Sequence, residues 1–177
     1  MLFSVGCASV GEKSKVESVQ LSELEKEIKS AGLSEKSIKV GKHTIYYHEG
    51  AKGETILLLH GFGGCKEHWV GFAKFFTSNY HVVAIDLSGH RKSSRIETKS
   101  YSIATQADRL DKIANALSLK KFHLAVNSMG GTIAGKYAAI FSDKLLSLNL
   151  IDTGGIHFNP ETIYSIIPKS PEEFNNF

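Results

Sequence analysis

The chain begins with a polar segment and a helical pattern, and then changes to the period of strands. Residues 8–20 are rich in serine and lysine and predict a tether without core-forming residues. The next apolar residues recur at helical spacing among charged ones, at Leu21, Leu24 and Ile28. This spacing predicts an amphipathic helix. Two short strand-type runs on either side of a turn at 41–42 then predict a β-hairpin.

Apolar runs alternate with helical patterns in the remainder of the chain. Four runs have the length of buried strands: 55–59, 81–85, 122–126 and 145–151. Helical patterns lie between them, at 67–77, 103–117 and 132–141. Runs that are apolar throughout are typical of strands covered on both faces. Strands that alternate with helices predict an α/β fold with a mostly parallel sheet and right-handed crossovers.

The bulk composition limits the fold and the partners. At 177 residues, of which 42% are hydrophobic, the chain is long enough for one domain with a buried core. The net charge is +3 and there is no long basic run, so we expect no nucleic acid partner. No apolar stretch approaches the roughly 20 residues of a membrane-spanning helix. Cys7 and Cys65 form neither a metal-type spacing nor a disulfide framework, and we expect no metal or cofactor.

A serine stands where the third apolar run meets a helical pattern. Residues 124–131 read Leu-Ala-Val-Asn-Ser-Met-Gly-Gly, which places Ser128 on the turn between the two. A serine on such a sharp turn projects its hydroxyl above the sheet, and the N–H of Met129 points to where an oxyanion forms. Glycines let the strand and helix backbones approach closely. Ser128 is therefore the candidate nucleophile.

A glycine-rich turn follows the first apolar run. Residues 60–64 read His-Gly-Phe-Gly-Gly at the carboxyl end of a predicted strand, where open α/β sheets bind ligands. Acyl transfer requires two N–H donors aimed at the oxyanion, and the N–H of Phe62 would be the second, beside Met129. Taken alone, these residues could form a plain tight turn, but their pairing with Ser128 favours the oxyanion role. We expect His60 to hold the loop rather than act as a base.

A third motif follows the second apolar run. Residues 86–94 read Asp-Leu-Ser-Gly-His-Arg-Lys-Ser-Ser. We interpret this segment as a structural loop that orders the floor of the pocket. Asp86 is not a candidate for a catalytic triad, because it precedes the serine in the chain.

The three motifs resemble, in order and in position, those of the α/β-hydrolases over residues 38 to about 158. Three positions depart from the family pattern: Ser88 replaces a proline, and Arg91 and Val126 replace glycines. A β-branched Val126 is expected to press on the helix behind it, at about 1–3 kcal/mol. The resemblance implies an α/β-hydrolase fold with helices on both faces of the sheet.

The detailed sequence of the motifs, with Lys66 and Trp69 after the glycine-rich turn, resembles that of bacterial monoacylglycerol lipases and related esterases. The resemblance implies hydrolysis of carboxylic esters such as acylglycerols through a Ser128 acyl-enzyme. It also implies a membrane-tethered protein, which the composition does not show.

The base and the acid of the site are not evident. In this family they follow the serine in the order acid, then histidine. Asp152 and His157 keep that order, and His157 is the only histidine after Ser128. Asp152 could instead cap a loop, and His157 could belong to a cap segment. The resemblance implies that the usual acid and histidine lie beyond the cap. We therefore expect a chain truncated after about the sixth strand, impaired or inactive, with an open apolar sheet edge.

The N-terminus resembles the end of a bacterial lipoprotein signal. A small residue precedes Cys7, but there is no basic segment and the apolar stretch is short, so either the start lies upstream or the resemblance is accidental. We divide the chain into an N-terminal tether and helix (1–36), an incomplete hydrolase core (37–153) and the start of a cap (154–177). A lipidated Cys7 would place the protein at the membrane of a bacterial envelope; otherwise it would be cytoplasmic.

Two further functions remain open at this point. The departures from the motifs and the lipobox-like Cys7 fit a non-catalytic surface lipoprotein that keeps the scaffold for binding. The same fold also carries C–C hydrolases and haloperoxidases. A serine at position 128 argues against dehalogenase and epoxide-hydrolase chemistry, which uses aspartate there.

Overall fold

The computed structural model describes residues 15–154, and the side chains from residue 21 onwards. Four α-helices lie in this part of the chain: α1 (Lys15–Ser30), α2 (Val70–Ala73), α3 (Ile103–Ala116) and α4 (Met129–Phe141). The six strands are β1 (Ser34–Val40), β2 (His43–Gly50), β3 (Glu54–Leu59), β4 (Tyr80–Ile85), β5 (Phe122–Asn127) and β6 (Leu145–Ile151). Short 3-10 turns cover Lys66–Trp69 and Ser142–Lys144. No helix among the described residues is both long enough and apolar enough to cross a membrane.

The six strands form one sheet in the order β1-β2-β4-β3-β5-β6. The hairpin β1–β2 pairs antiparallel, and so does β2 with β4; the other three pairings are parallel. Because β3, β4, β5 and β6 run in the same direction, their carboxyl ends meet at one edge of the sheet. The turns that carry the three sequence motifs therefore lie along this edge.

Two apolar clusters cover the two faces of the sheet. On one face α3 and α4 pack against strand residues such as Leu57 and Leu124. On the other face α2 and the end of α1 pack against strand residues such as Leu58 and Ala84. Successive residues of a strand point to opposite faces, which is why the run in β3 is apolar throughout. This confirms the predicted α/β-hydrolase fold with helices on both sides of a mostly parallel sheet.

Two helices differ most from the prediction, and α4 begins at Met129, three residues earlier than predicted. The segment predicted as one helix over 67–77 is a 3-10 turn followed by the four-residue α2. The backbone N–H of Lys66 is held by Asp86, which fixes a tight turn at the start of this segment. The first helix begins at Lys15, inside the segment that was predicted to be a tether. Residues 8–14 and 155–177 lie outside the described residues, and the division of the chain into 1–36, 37–153 and 154–177 stays a prediction.

Candidate active site

Ser128 occupies a sharp turn between β5 and α4. Its backbone has φ 51° and ψ −118°, a region that residues other than glycine rarely adopt. The turn is held by its neighbours, because the N–H of Ser128 donates to Ile151 O at 3.1 Å and the N–H of Gly154 donates to Ser128 O at 3.0 Å. Strain of this kind persists only where the surrounding structure imposes it, and it is common at active sites.

Glycines bring the turn after β3 into contact with the Ser128 turn. A Cβ atom on Gly61 would lie 2.9 Å from Ser128 Cβ and 3.1 Å from Asn127 Oδ1. A Cβ atom on Gly130 would lie 2.9 Å from the carbonyl oxygen of His60. Because real Cβ atoms do not approach this closely, both positions require glycine for the observed packing.

Two backbone N–H groups lie beside this contact. Met129 is the first residue of α4, so its N–H has no acceptor within the helix. Phe62 directly follows Gly61, and within the described residues no acceptor for its N–H is found. The side chain of Phe62 is 85% exposed, so its main chain rather than its ring is the part held in the turn. The arrangement can offer two donors to an anion that develops next to Ser128.

His60 holds the glycine-rich turn against the loop that follows β4. Its Nε2 accepts a hydrogen bond from the N–H of Leu87 at 3.0 Å, and its Nδ1 lies 2.7 Å from Gly61 O. An acceptor at Nε2 requires the proton to be on Nδ1, so the ring is neutral and bonded at both nitrogens. Burial lowers the pKa of His60 to about 4. His60 is thus engaged in positioning the loop, as expected from the sequence.

An ionic cluster lies under the same two loops; it consists of the buried Lys66 and Asp86, the half-buried Glu67 and the exposed Glu35. Lys66 Nζ is 2.7 Å from Glu67 Oε1, 3.0 Å from Asp86 Oδ2 and 3.1 Å from Glu35 Oε2. Burial opposes the charge of Lys66, but the hydrogen bond that it donates to Glu67 and the negative charge of Asp86 raise its pKa above the usual range. Burial likewise opposes the charge of Glu67, yet the Lys66 ammonium lowers its pKa to about 2.

Sequence reasoning missed this ionic cluster. Its members come from β1, the 3-10 turn and the end of β4, and only Asp86 and Lys66 stood inside a recognised motif. The bond from Lys66 N–H to Asp86 Oδ1, at 2.8 Å, joins the 3-10 turn that follows the glycine-rich turn to the loop after β4. Asp86 therefore has a structural role, as the sequence interpretation held.

The departures from the family pattern are accommodated in the structure. Arg91 has φ 46°, in the left-handed region, which explains why glycine is usual there. The carbonyl oxygen of Ser88 accepts a hydrogen bond from Gln106 Nε2 at 3.0 Å, so α3 supports the loop at that point. Val126 is completely buried in the cluster under α3 and α4. Its predicted steric cost stays a prediction.

The described residues contain one group with metal-ligand chemistry: Glu35, His48 and Glu67, whose ligand atoms lie within 4.8 Å of one another. Lys66 Nζ bonds to both carboxylates. A cation at this place would meet the lysine ammonium, so these residues do not fit a metal centre.

Asp152 comes directly after β6, beside the serine turn. Ile151 pairs with Asn127 in the neighbouring parallel strand. Asp152 and Ser128 are the residues that directly follow this pair. Asp152 has φ 44° and is exposed. Within residues 15–154, no histidine bonds to the Ser128 hydroxyl, and His157 lies outside this range. The acid and base roles of Asp152 and His157 therefore stay predictions.

An apolar groove lies on the α2 side of β5 and β6 and extends as far as Ile151. It has a volume of about 630 Å³, and its lining includes Phe72, Phe76, Tyr80 and Leu148. The serine turn is not part of its wall, so we do not assign it to the candidate site.

Residues 54–177 match the family model of the α/β hydrolase fold. The chain belongs to the α/β-hydrolase family. It is 31% identical over 150 residues to the monoacylglycerol lipase ABHD6 of Rattus norvegicus, which covers 73% of this chain and 44% of the relative. It is 34% identical over 162 residues to Lipase 3 of Moraxella sp. (strain TA144), which covers 87% of this chain and 50% of the relative.

Among solved structures, the chain is similar to a bacterial membrane phospholipase A. The TM-score is 0.77 with 44% sequence identity, and the match covers 80% of this chain and 47% of the other. These similarities confirm the predicted resemblance to lipases of this fold. The chain spans about half the length of the relatives that it matches.

Proposed function

We propose that this chain is the nucleophile-bearing part of a serine hydrolase that acts on carboxylic esters, with acylglycerols as the substrate class. The observation that most directly supports this proposal is the strained Ser128 turn, which packs against Gly61 with the N–H groups of Phe62 and Met129 beside it. The names of the relatives, which are lipases and monoacylglycerol lipases, support the same class of substrate.

The proposed reaction proceeds through an acyl-enzyme. Ser128 Oγ attacks the ester carbonyl carbon while a general base takes its proton, and the carbonyl oxygen becomes an oxyanion bound by the two N–H groups. The C–O bond to the alcohol then breaks, and the base returns the proton to the departing oxygen. Water hydrolyses the acyl-serine by the same route and releases the carboxylic acid. Asp152 and His157 are the candidates for acid and base in this chain.

We expect the 177-residue chain to react slowly, because no described histidine bonds to Ser128. The test is labelling with a fluorophosphonate probe, followed by mass spectrometry of the peptide that contains Ser128. Ser128→Ala is the control and should give no adduct. A chimaera that carries the C-terminal half of the Moraxella lipase after residue 154 should react much faster. Equal, strong labelling of both forms would contradict the expectation that the 177-residue chain reacts slowly.

The proposed setting is a membrane surface. A lipidated Cys7 would anchor the protein through residues 1–36, with the hydrolase core at 37–153 and a cap beginning at 154. The mass of the protein isolated from bacterial membranes, compared with that of Cys7→Ser, tests this anchor. An unmodified Cys7 in the membrane-derived protein would exclude the proposed lipid anchor.

A second candidate function is binding without catalysis, as a surface lipoprotein. The observation that favours it is the absence of a histidine partner for Ser128 among residues 15–154. Ester hydrolysis that disappears in Ser128→Ala would exclude this alternative. If neither the wild-type chain nor Ser128→Ala hydrolyses esters and both still bind lipid, this alternative is supported.

A further inference from the structure

A surface rich in lysine and arginine lies at the same edge of the sheet as Ser128. Segments 39–42 and 91–99 together contain six basic residues and one carboxylate, Glu97. The whole chain has a net charge of only +3, so the rest of the molecule is on balance acidic. The positive charge is therefore concentrated here, although no basic run is present in the sequence.

Backbone pairing brings the two segments together. Tyr47 of β2 pairs with Ile85, the last residue of β4, so the start of β2 extends past the end of β4. There Ser94 N–H donates to Thr44 O, and Thr44 N–H donates to Ser94 Oγ, both at 2.9 Å. The hairpin turn and the loop after β4 thus form one continuous surface at the carboxyl edge of the sheet.

The basic side chains of this surface are exposed, and most of them have no carboxylate as an ion-pair partner. We define the cationic rim as Lys39, Lys42, Arg91, Arg95 and Lys99. Lys39 Nζ donates to Thr44 Oγ1, and among side chains 21–154 none of the five forms an ion pair. The neighbouring Lys92, by contrast, is paired with Glu35 and is not part of the rim.

The positive charge of the rim also acts on a buried neighbour. Burial lowers the pKa of His43, and the positive charges of Arg109 and Lys99 lower it further. Five cations without counter-charges repel one another, and an anionic surface would relieve that repulsion.

An apolar side chain stands at the same edge. Phe62 follows β3, whose carboxyl end lies between those of β4 and β5, and its ring is 85% exposed. The ring of His90, next to Arg91, lies 4.9 Å from the ring of His60. The Arg91 loop is thus adjacent to the turn that presents Phe62. A cationic surface with an exposed aromatic ring fits a lipid headgroup region better than a soluble polyanion.

We propose that the cationic rim docks the protein on a membrane of anionic phospholipid, with the Ser128 edge of the sheet turned toward the lipid. This inference rests on the proposed action at a lipid surface, and it does not require lipidation of Cys7. In this orientation an ester in the membrane would face the serine turn directly.

The test is co-sedimentation of the unlipidated 177-residue chain with vesicles of ether-linked lipids, which an ester hydrolase does not cleave. We compare neutral phosphatidylcholine vesicles with vesicles in which phosphatidylglycerol supplies anionic charge. The rim variant is Arg91→Glu/Arg95→Glu/Lys99→Glu. The matched control is Lys52→Glu/Lys120→Glu/Lys121→Glu, whose side chains are exposed before β3 and β5, at the opposite edge of the sheet. Both variants change the net charge equally.

The wild-type chain should bind the anionic vesicles and release them at high salt, since screening shortens the reach of exposed charges to a few ångströms. The rim variant should bind about 100-fold or more weakly, because each basic residue near the surface contributes roughly fivefold. The control should stay within about threefold of the wild type by the same reasoning. Circular dichroism verifies that both variants fold.

Three results would overturn the proposal. Equal loss in the rim variant and the control would mean that only net charge matters. Equal binding to neutral vesicles would mean that the rim is not involved. Retention on heparin that depends on the rim, without vesicle binding, would assign the rim to a soluble polyanion. Because the ether lipids require no catalysis, none of these results bears on the Ser128 chemistry, which the fluorophosphonate test decides separately.

Discussion

Lys66 Nζ lies 3.0 Å from Asp86 Oδ2, and neither side chain has any exposed surface. The pair joins the 3-10 turn at Lys66–Trp69 to the loop after β4, and it places two opposite charges in the interior of the protein. Removing one partner of a buried pair leaves the other charge without compensation.

Lys66→Met should therefore lower the free energy of unfolding by about 3–5 kcal/mol. The measurement is urea denaturation followed by circular dichroism. Lys92→Met is the matched control, because Lys92 pairs with Glu35 at the surface and should contribute less than about 1 kcal/mol. Similar losses in the two variants would contradict a special role for the buried pair.

The stability of the fold should decrease as the pH falls from about 6.5 to 4. Burial lowers the pKa of His60 to about 4, whereas an unfolded histidine takes up its proton near 6.5. The unfolded chain thus binds more protons in this window, which destabilises the fold by up to about 3 kcal/mol. Urea denaturation at several pH values measures the slope.

His60→Asn should reduce that slope, since it removes the titrating ring. The pKa values of His43 and His48 are also lowered by burial, and their contribution remains in the variant. Glu67 acts in a different window: its pKa is lowered to about 2, so its stabilisation is lost only between roughly 4.5 and 2. An unchanged slope between pH 6.5 and 4.5 would show that His60 does not titrate as described.

Gly61→Ala should reduce the fluorophosphonate reactivity of Ser128 by about tenfold or more, because a displacement of catalytic groups by an ångström is costly. The added Cβ atom would lie 2.9 Å from Ser128 Cβ, so the glycine-rich turn has to move away. Labelling rates measured by mass spectrometry test this. Gly71→Ala is the control, because nothing lies within 4 Å of its added Cβ. A Gly61→Ala protein that labels like the control would show that the turn does not position the oxyanion donors.

Leu150→Lys should slow aggregation. In the described part of the chain, β6 is an edge strand without a charged residue, and the side chain of Leu150 is 47% exposed. Uncharged apolar edges promote pairing between molecules, and a lysine there opposes it. Static light scattering at rising temperature measures the onset of aggregation. Leu21→Lys, on the exposed face of α1, should leave the onset unchanged; an equal effect would point to general solubility instead.

The strands and the serine turn could be predicted because their signals are local. The apolar run of β3 and the Ser-Met-Gly-Gly turn depend on residues within a few positions of one another. The ionic cluster could not be predicted, because Glu35 and Asp86 are far apart in the chain and only the fold brings them to Lys66. The 3-10 turn at Lys66–Trp69 was missed for the same reason, since the distant Asp86 carboxylate holds its first N–H.

The cationic rim shows the same limit. Its lysines and arginines are spread over two segments, and each segment alone has the composition of an ordinary polar turn. Only the pairing of Thr44 with Ser94 makes them one surface. Charge patterning along a sequence therefore predicts a basic run but not a basic face.

The strand order has a consequence for synthesis on the ribosome. β3 lies between β4 and β5, and Leu57 pairs with Val83 on one side and with Leu124 on the other. The first partner is made soon after β3, but the second is made only after α3 has been translated. One edge of the most buried strand thus stays open while the nascent chain grows by more than a third of its length. Slow elongation lengthens that interval, in which the open edge of β3 is exposed to pairing with another molecule.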